Sequence, residues 1–220
     1  VVSSHEDILR TARSAYYPVE MSAVLDHVMK HKGRYALIGL PCFIKGVRRA
    51  SMKMPKLKSR ITLYAGITCG QLVTKGFAES ITRSMYVDPA KLTAFNFRDK
   101  APERPATNFN MTATTAEGST SVQWQSFCEL AWMSSMFKPN ACNYCDDAFA
   151  ELADVCFMDA WLPEYRNESH GTSIVLVRSQ VVDDVIRRYG MEGGECALEN
   201  LSHDKVMQSQ AQVIKNKREV

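Results

Sequence analysis

Tyr35–Ala50 is YALIGLPCFIKGVRRA, and it carries the pattern from which the fold class follows. Tyr35-Ala36-Leu37-Ile38 is a short apolar run of strand length. Gly39-Leu40-Pro41-Cys42 turns out of it. Pro41 suits the first turn of a helix, where its missing N–H costs nothing, and the pattern predicts a helix running through Ala50. A strand that feeds a helix in this way is the building unit of an α/β protein. In such folds, sites gather at the carboxyl ends of strands, which is where Cys42 falls.

The same pattern recurs outward from this unit. Ile61–Ile67 is a second strand, ending at Thr68-Cys69-Gly70, and Leu72–Met85 follows as a helix. Val155–Met158 and Ile174–Val177 are buried strands, and Val181–Tyr189 is helical. Between them, Leu92–Arg98 alternates like a strand. Phe109–Thr115 and Thr120–Trp124 flank Glu117-Gly118, a hairpin signal. Ser126–Phe137 reads as a long helix. Upstream, Ser4 caps a helix that reaches about Ser14. Met21, Val24, Leu25, Val28 and Met29 fall at helical spacing, and Gly33 is placed to end that helix. Lys53–Arg60 reads as a basic connector and Glu192-Gly193-Gly194 as a loop. From Ser202 the tail is a polar, basic helix or a frayed one. Its plain reading is a solvated helix, and its basic face could instead dock a partner subunit. The expected class is therefore α/β of mixed α+β type: a central mixed sheet with flanking helices and a mostly antiparallel β insertion. The chain, 1–220, is expected to form a single domain, with 91–125 as a β subdomain.

The 220 residues allow a sizeable core. A net charge of +3 and a pI near 8.4 fall well short of a typical nucleic-acid binder, yet they suit small anionic ligands. Apolar runs are short and interrupted, so no membrane span and no signal peptide are expected. Seven cysteines at wide spacing, an odd number, argue against a disulfide scaffold. In a reducing cytoplasm they read as ligands, nucleophiles or buried apolar residues.

Cys142 and Cys145 form a Cys-x-x-Cys pair behind Pro139 and Asn140. Two thiolates at that spacing grip a metal or cluster but leave its coordination incomplete. Cys42 and Cys69 sit in equivalent settings at two strand ends. The set C-x26-C-x72-C-x2-C matches no compact zinc finger. It is a dispersed set that a folded enzyme can bring together around an iron–sulfur cluster; the plainer reading is two buried cysteines and an incidental pair. Cys128 and Cys156 sit in apolar patterns and read as packing residues. Lys45, Arg48 and Arg49 lie on the helix that Cys42 begins. They read either as a cradle for the phosphates of a flavin or another anionic cofactor, or as a solvated basic face. Asp159, at a strand end, either orients a ligand or caps a turn. No glycine-rich dinucleotide fingerprint, serine-hydrolase elbow, phosphate loop or kinase signature is present.

Four stretches together carry a resemblance. They are Gly39–Arg49, Ile67–Gly70, Cys142–Asp146 with Ala150–Val155, and Gly171–Arg178. The chain resembles the β subunit of coenzyme F420-reducing hydrogenases and dehydrogenases, over roughly Tyr35 to Arg178. The resemblance implies an iron–sulfur flavoprotein. One [4Fe-4S] cluster would be held by Cys42, Cys69, Cys142 and Cys145. FAD would be bound, and coenzyme F420 would exchange hydride. An upstream family segment that helps to hold the flavin is expected to be missing from this chain, which starts abruptly. The implied partners are a redox partner subunit or a ferredoxin-like protein, with the chain acting in an oligomer or complex. No nucleic acid is expected, and the expected location is the cytoplasm. Two other readings stand beside it: a cluster-only electron-transfer subunit without flavin, and an interaction module built on a structural zinc.

Overall fold

The computed structural model describes residues 1–12, 14–194 and 196–218. In chain order the strands are β1 Tyr35–Gly39, β2 Ile61–Ile67, β3 Ala94–Asp99, β4 Asn110–Thr115, β5 Gly118–Gln123, β6 Val155–Asp159 and β7 Ser173–Val177. The helices are α1 His5–Thr11, α2 Ser22–Lys30, α3 Pro41–Ser51, α4 Pro55–Arg60, α5 Lys75–Ser84, α6 Glu129–Met133, α7 Gln180–Val185, α8 His203–Ser209 and α9 Ala211–Arg218. They fall into two compact units.

The first unit comprises Val1–Val19, Gln71–Asn143 and Glu164–Gly171. Its three-stranded sheet has the order β3-β4-β5 and is antiparallel throughout. Met111 and Ala113 point into a core with Phe77, Ile81, Phe97 and Cys128. Tyr16 sets its ring edge-on to Phe77 and Phe97. The helix expected from Leu72 begins only at Lys75, because the chain before it is extended and Thr74 N–H donates to Phe137 O. The long helix expected over Ser126–Phe137 is shorter. A wide turn over Trp124–Cys128 precedes α6, and α6 stops before Ser135, whose φ is 55°. A non-glycine residue in left-handed backbone cannot continue a right-handed helix.

The second unit comprises Glu20–Gly70, Tyr144–Pro163 and Thr172–Val220. Its four-stranded sheet has the order β1-β2-β6-β7. The pairs β1–β2 and β2–β6 are parallel, and β7 adds an antiparallel edge. The fold is thus mixed α/β, with a mixed sheet, flanking helices and an antiparallel insertion. Leu37, Tyr64, Val155 and Ile174 of the sheet are buried with Val28, Ile44, Val47 and Leu57 of the helices. Two local corrections have physical causes. Lys53–Arg60 is not all connector: Pro55 takes the first position of α4, and Leu57 anchors the helix by burial. The end of α2 is Lys30 rather than Gly33. There, Arg60 Nη1 donates to the carbonyls of Val28, Met29 and His31 at 2.7, 2.9 and 3.0 Å, satisfying acceptors that a helix end leaves open.

Candidate functional site

The parallel strands bring their carboxyl ends to one edge of the second unit. Gly39 of β1 pairs with Gly66 of β2, Gly66 pairs with Cys156 of β6, and Ile67 pairs with Phe157. Just beyond that row the chain turns into its candidate residues. Pro41 opens α3, so Cys42 occupies the helix's second position and is exposed. Thr68 N–H donates to Phe157 O at 3.0 Å, and Cys69 N–H donates to Ala148 O at 3.2 Å. The second bond ties the Cys69 turn to the segment that follows Cys145. Asp159 closes β6 at the same edge, opposite Ser173.

The segment 147–153 is pressed against the sheet by shape. A Cβ at Gly66 would sit 2.3 Å from Ala150 Cβ and 3.0 Å from Ala153 Cβ, so only glycine lets the segment in. Ala150 bends there with φ 48°. Arg178 then gathers the carbonyls of Phe149, Ala150 and Ala153 at 3.1, 3.3 and 3.4 Å. The buried Asp147 carboxylate accepts from Glu151 N–H at 3.1 Å. Cys145, half-buried, emerges from this clasp. Its sulfur accepts from Lys217 Nζ at 3.1 Å, and the same ammonium donates to Asp147 O at 2.9 Å. Cys142 falls in the first unit, half-buried in the 3₁₀ turn Asn140–Tyr144, with its N–H on Pro139 O at 2.9 Å.

The cations of α3 lie elsewhere on that helix. Arg48 and Arg49 are in its last turn, at the opposite end from Cys42, and Lys45 is exposed between them and the cysteine. Arg48 lies over the Tyr64 ring at 3.8 Å and donates to Asp154 Oδ1 at 2.9 Å and to Leu152 O at 3.1 Å. Asp154 Oδ2 accepts from Tyr64 N–H at 2.8 Å. The group thus braces α3, β2 and the start of β6. Cys128 and Cys156 are fully buried, and burial pushes both thiols up, which keeps them neutral packing groups.

Cys42, Cys69, Cys145 and Asp159 are thus brought to one edge by backbone, while Arg48 and Arg49 are not. Among the described residues, no group of three or more His, Cys, Asp or Glu side chains is arranged to hold a metal ion. The donors at that edge, the thiols of Cys42, Cys69 and Cys145, are soft ligands of the kind a thiolate-bound cluster takes, and Cys142 lies in the other unit. Sequence reasoning gave no role to Arg178, Asp154 or Lys217. Arg178 stood at the end of the Gly171–Arg178 stretch, directly after a strand. Nothing local marked Lys217, whose partner is 72 residues away. Among the described residues, no helix is long and apolar enough to cross a membrane.

Residues 32–204 match the family described as the C-terminal part of the coenzyme F420 hydrogenase/dehydrogenase beta subunit. No curated protein matches the sequence. Among solved structures, the chain is similar to one from the F420-reducing [NiFe] hydrogenase complex of Methanosarcina barkeri, studied by xenon derivatization. The TM-score is 0.63 at 15% identity, over 97% of this chain and 70% of that one, a likeness of fold. With the family match spanning most of its length, this chain belongs to the coenzyme F420 hydrogenase/dehydrogenase beta subunit family.

Proposed function

We propose that the chain is an electron-transfer subunit of an oxidoreductase complex, built around one [4Fe-4S] cluster. The observation that carries this reading is the carboxyl edge, where Cys42, Cys69 and the Cys145 segment converge on a parallel sheet in a chain of this family. Cys142 joins them by its spacing of three residues from Cys145. A bound cluster would supply one-electron chemistry, and FAD beside it would supply the exchange between one electron and the hydride carried by coenzyme F420. The protein's own part is placement. The first turn of α3 offers backbone N–H groups beside Cys42, and hydrogen bonds to sulfur tune a cluster's potential. Gly66, Ala150 and Arg178 hold the Cys145 segment against β2. Asp159 stands at the edge to orient a ligand, and Lys45 offers a cation for an anionic cofactor. The partner is a redox subunit or a ferredoxin-like protein, and the location is the cytoplasm.

Anaerobically purified protein should contain iron and acid-labile sulfide near four of each per chain, and Cys142→Ala should lose the visible absorbance of the cluster. Zinc in place of iron, or an unchanged spectrum in that variant, sinks the reading. A second reading, the cluster without flavin, is favoured by one observation. Arg48, expected to hold flavin phosphate, is occupied by Asp154, Leu152 O and the Tyr64 ring. Flavin released on denaturation decides against it.

A further inference from the structure

We propose that α8 and α9 form a cap over the candidate cluster edge, and that Lys217 tunes the cluster through its hydrogen bond to the Cys145 sulfur. This rests on the function proposed above. The cap lies almost wholly beyond the region shared with the family, which ends at residue 204.

The tail is fastened to that edge at three places. At the end of β6, Gln210 Nε2 donates to Asp159 O at 2.7 Å, and Trp161 N–H donates to Ser209 Oγ at 3.0 Å. Ser209 and Gln210 are buried polar residues, each satisfied there. Beside Cys69, α9 comes close over Gly70, where an added Cβ would stand 3.5 Å from Val213 Cγ2. At the third place, Lys217 meets Cys145 Sγ and Asp147 O, while Arg218 donates to Asp146 O at 3.1 Å and pairs with Glu151 at 2.7 Å. A helix this polar, with cations in its last turn, reads in sequence as solvated. Two of its cations, Lys217 and Arg218, instead engage one loop of its own chain.

The electrostatic consequence has a definite sign. Reduction adds negative charge to a cluster and its sulfurs. An ammonium 3.1 Å from a ligand sulfur stabilises that added charge, more strongly where the cap excludes water. Lys217 therefore raises the reduction potential, acting through Cys145 as a positioning residue in the layer outside the ligands.

The test uses the full chain, purified anaerobically as wild type, Lys217→Met, Lys217→Arg and Val213→Asp. Iron and sulfide content, EPR-monitored redox titration and the rate of iron loss to an added chelator are measured. Lys217→Met is expected to keep its iron and titrate at a lower midpoint than wild type, and Lys217→Arg to restore most of the shift. Val213→Asp, which lifts α9 from Gly70 and leaves Lys217 intact, is expected to lower the midpoint and to speed iron loss several-fold. An unmoved midpoint in Lys217→Met with full iron overturns the tuning role, as does iron loss shared by the Met and Arg variants. Iron loss in Val213→Asp no faster than in wild type overturns the cap. A wild-type protein without iron and sulfide overturns both this inference and the function beneath it, so the two failures are distinct.

Discussion

The three-stranded sheet of the first unit and the carboxyl edge of the second are built by opposite means. In the sheet, partners are near neighbours in sequence. Thr112 faces Ser121 and Thr114 faces Ser119 across β4 and β5, each pair joined hydroxyl to hydroxyl at 2.8 and 2.9 Å. The alternate residues Met111 and Ala113 are buried. At the edge, partners are far apart: Arg48 with Asp154 across 106 residues, Cys145 with Lys217 across 72. A period of two writes itself into the local sequence. A site assembled from distant segments leaves only punctuation, a glycine here and an arginine there.

Substitutions put that contrast to the test. The largest effect is expected in the antiparallel unit. Met111 is fully buried, and Met111→Ala should cost about 3 kcal/mol in urea unfolding through the cavity it leaves. Next comes the edge, where the difficulty is overlap rather than void. Gly66→Ala should cost about 2 kcal/mol, and Ala150→Gly in the same chain should recover most of it, since it removes the clashing methyl and eases a positive φ. A double variant no more stable than Gly66→Ala would put the cost elsewhere. Asp154→Asn keeps one acceptor oxygen, which can still serve Tyr64 N–H, but loses the second oxygen and the charge opposite Arg48, a half-exposed pair. It should cost about 1 kcal/mol.

The smallest effect compares the two units through pH. Burial raises the Cys128 thiol in the first unit and the Cys156 thiol in the second. The folded chain then keeps protons that the unfolded chain releases. Their contribution is intact below about pH 8.5 and is lost as pH rises from there toward the raised folded values. Cys128→Ala and Cys156→Ala should each flatten the alkaline decline in stability. Parallel slopes in wild type and both variants would show that other groups set it.

Much of the fold was legible in residues. The four strands of the mixed sheet could be placed because each is a short apolar run closed by a turn, as in Tyr35–Ile38 before Gly39 and Pro41. The helix after Pro41 was equally plain, since proline at a first turn has one physical reading. What failed did so where tertiary partners overrode local pattern. Arg60 ends α2 from outside it, and Ser135 stops α6 by a left-handed backbone that serine does not announce. Of the cysteines singled out by spacing, Cys42, Cys69 and Cys145 could be placed near one edge because each stands beside a turn that follows or faces a strand end. The supports of that edge were not legible, because Gly66 against Ala150 and Arg178 on three carbonyls are facts of shape and reach.

The separation of Cys145 from Lys217 also has a meaning in time. A ribosome adding 5–20 residues per second needs roughly 4–14 s to cross those 72 positions. At the start of that interval β1, β2 and the Cys145 loop have been made; β6 follows within it, and α9 comes last. The nascent edge is then open on the side that α9 later closes, so delivery of any cargo to it is easiest before the tail is made.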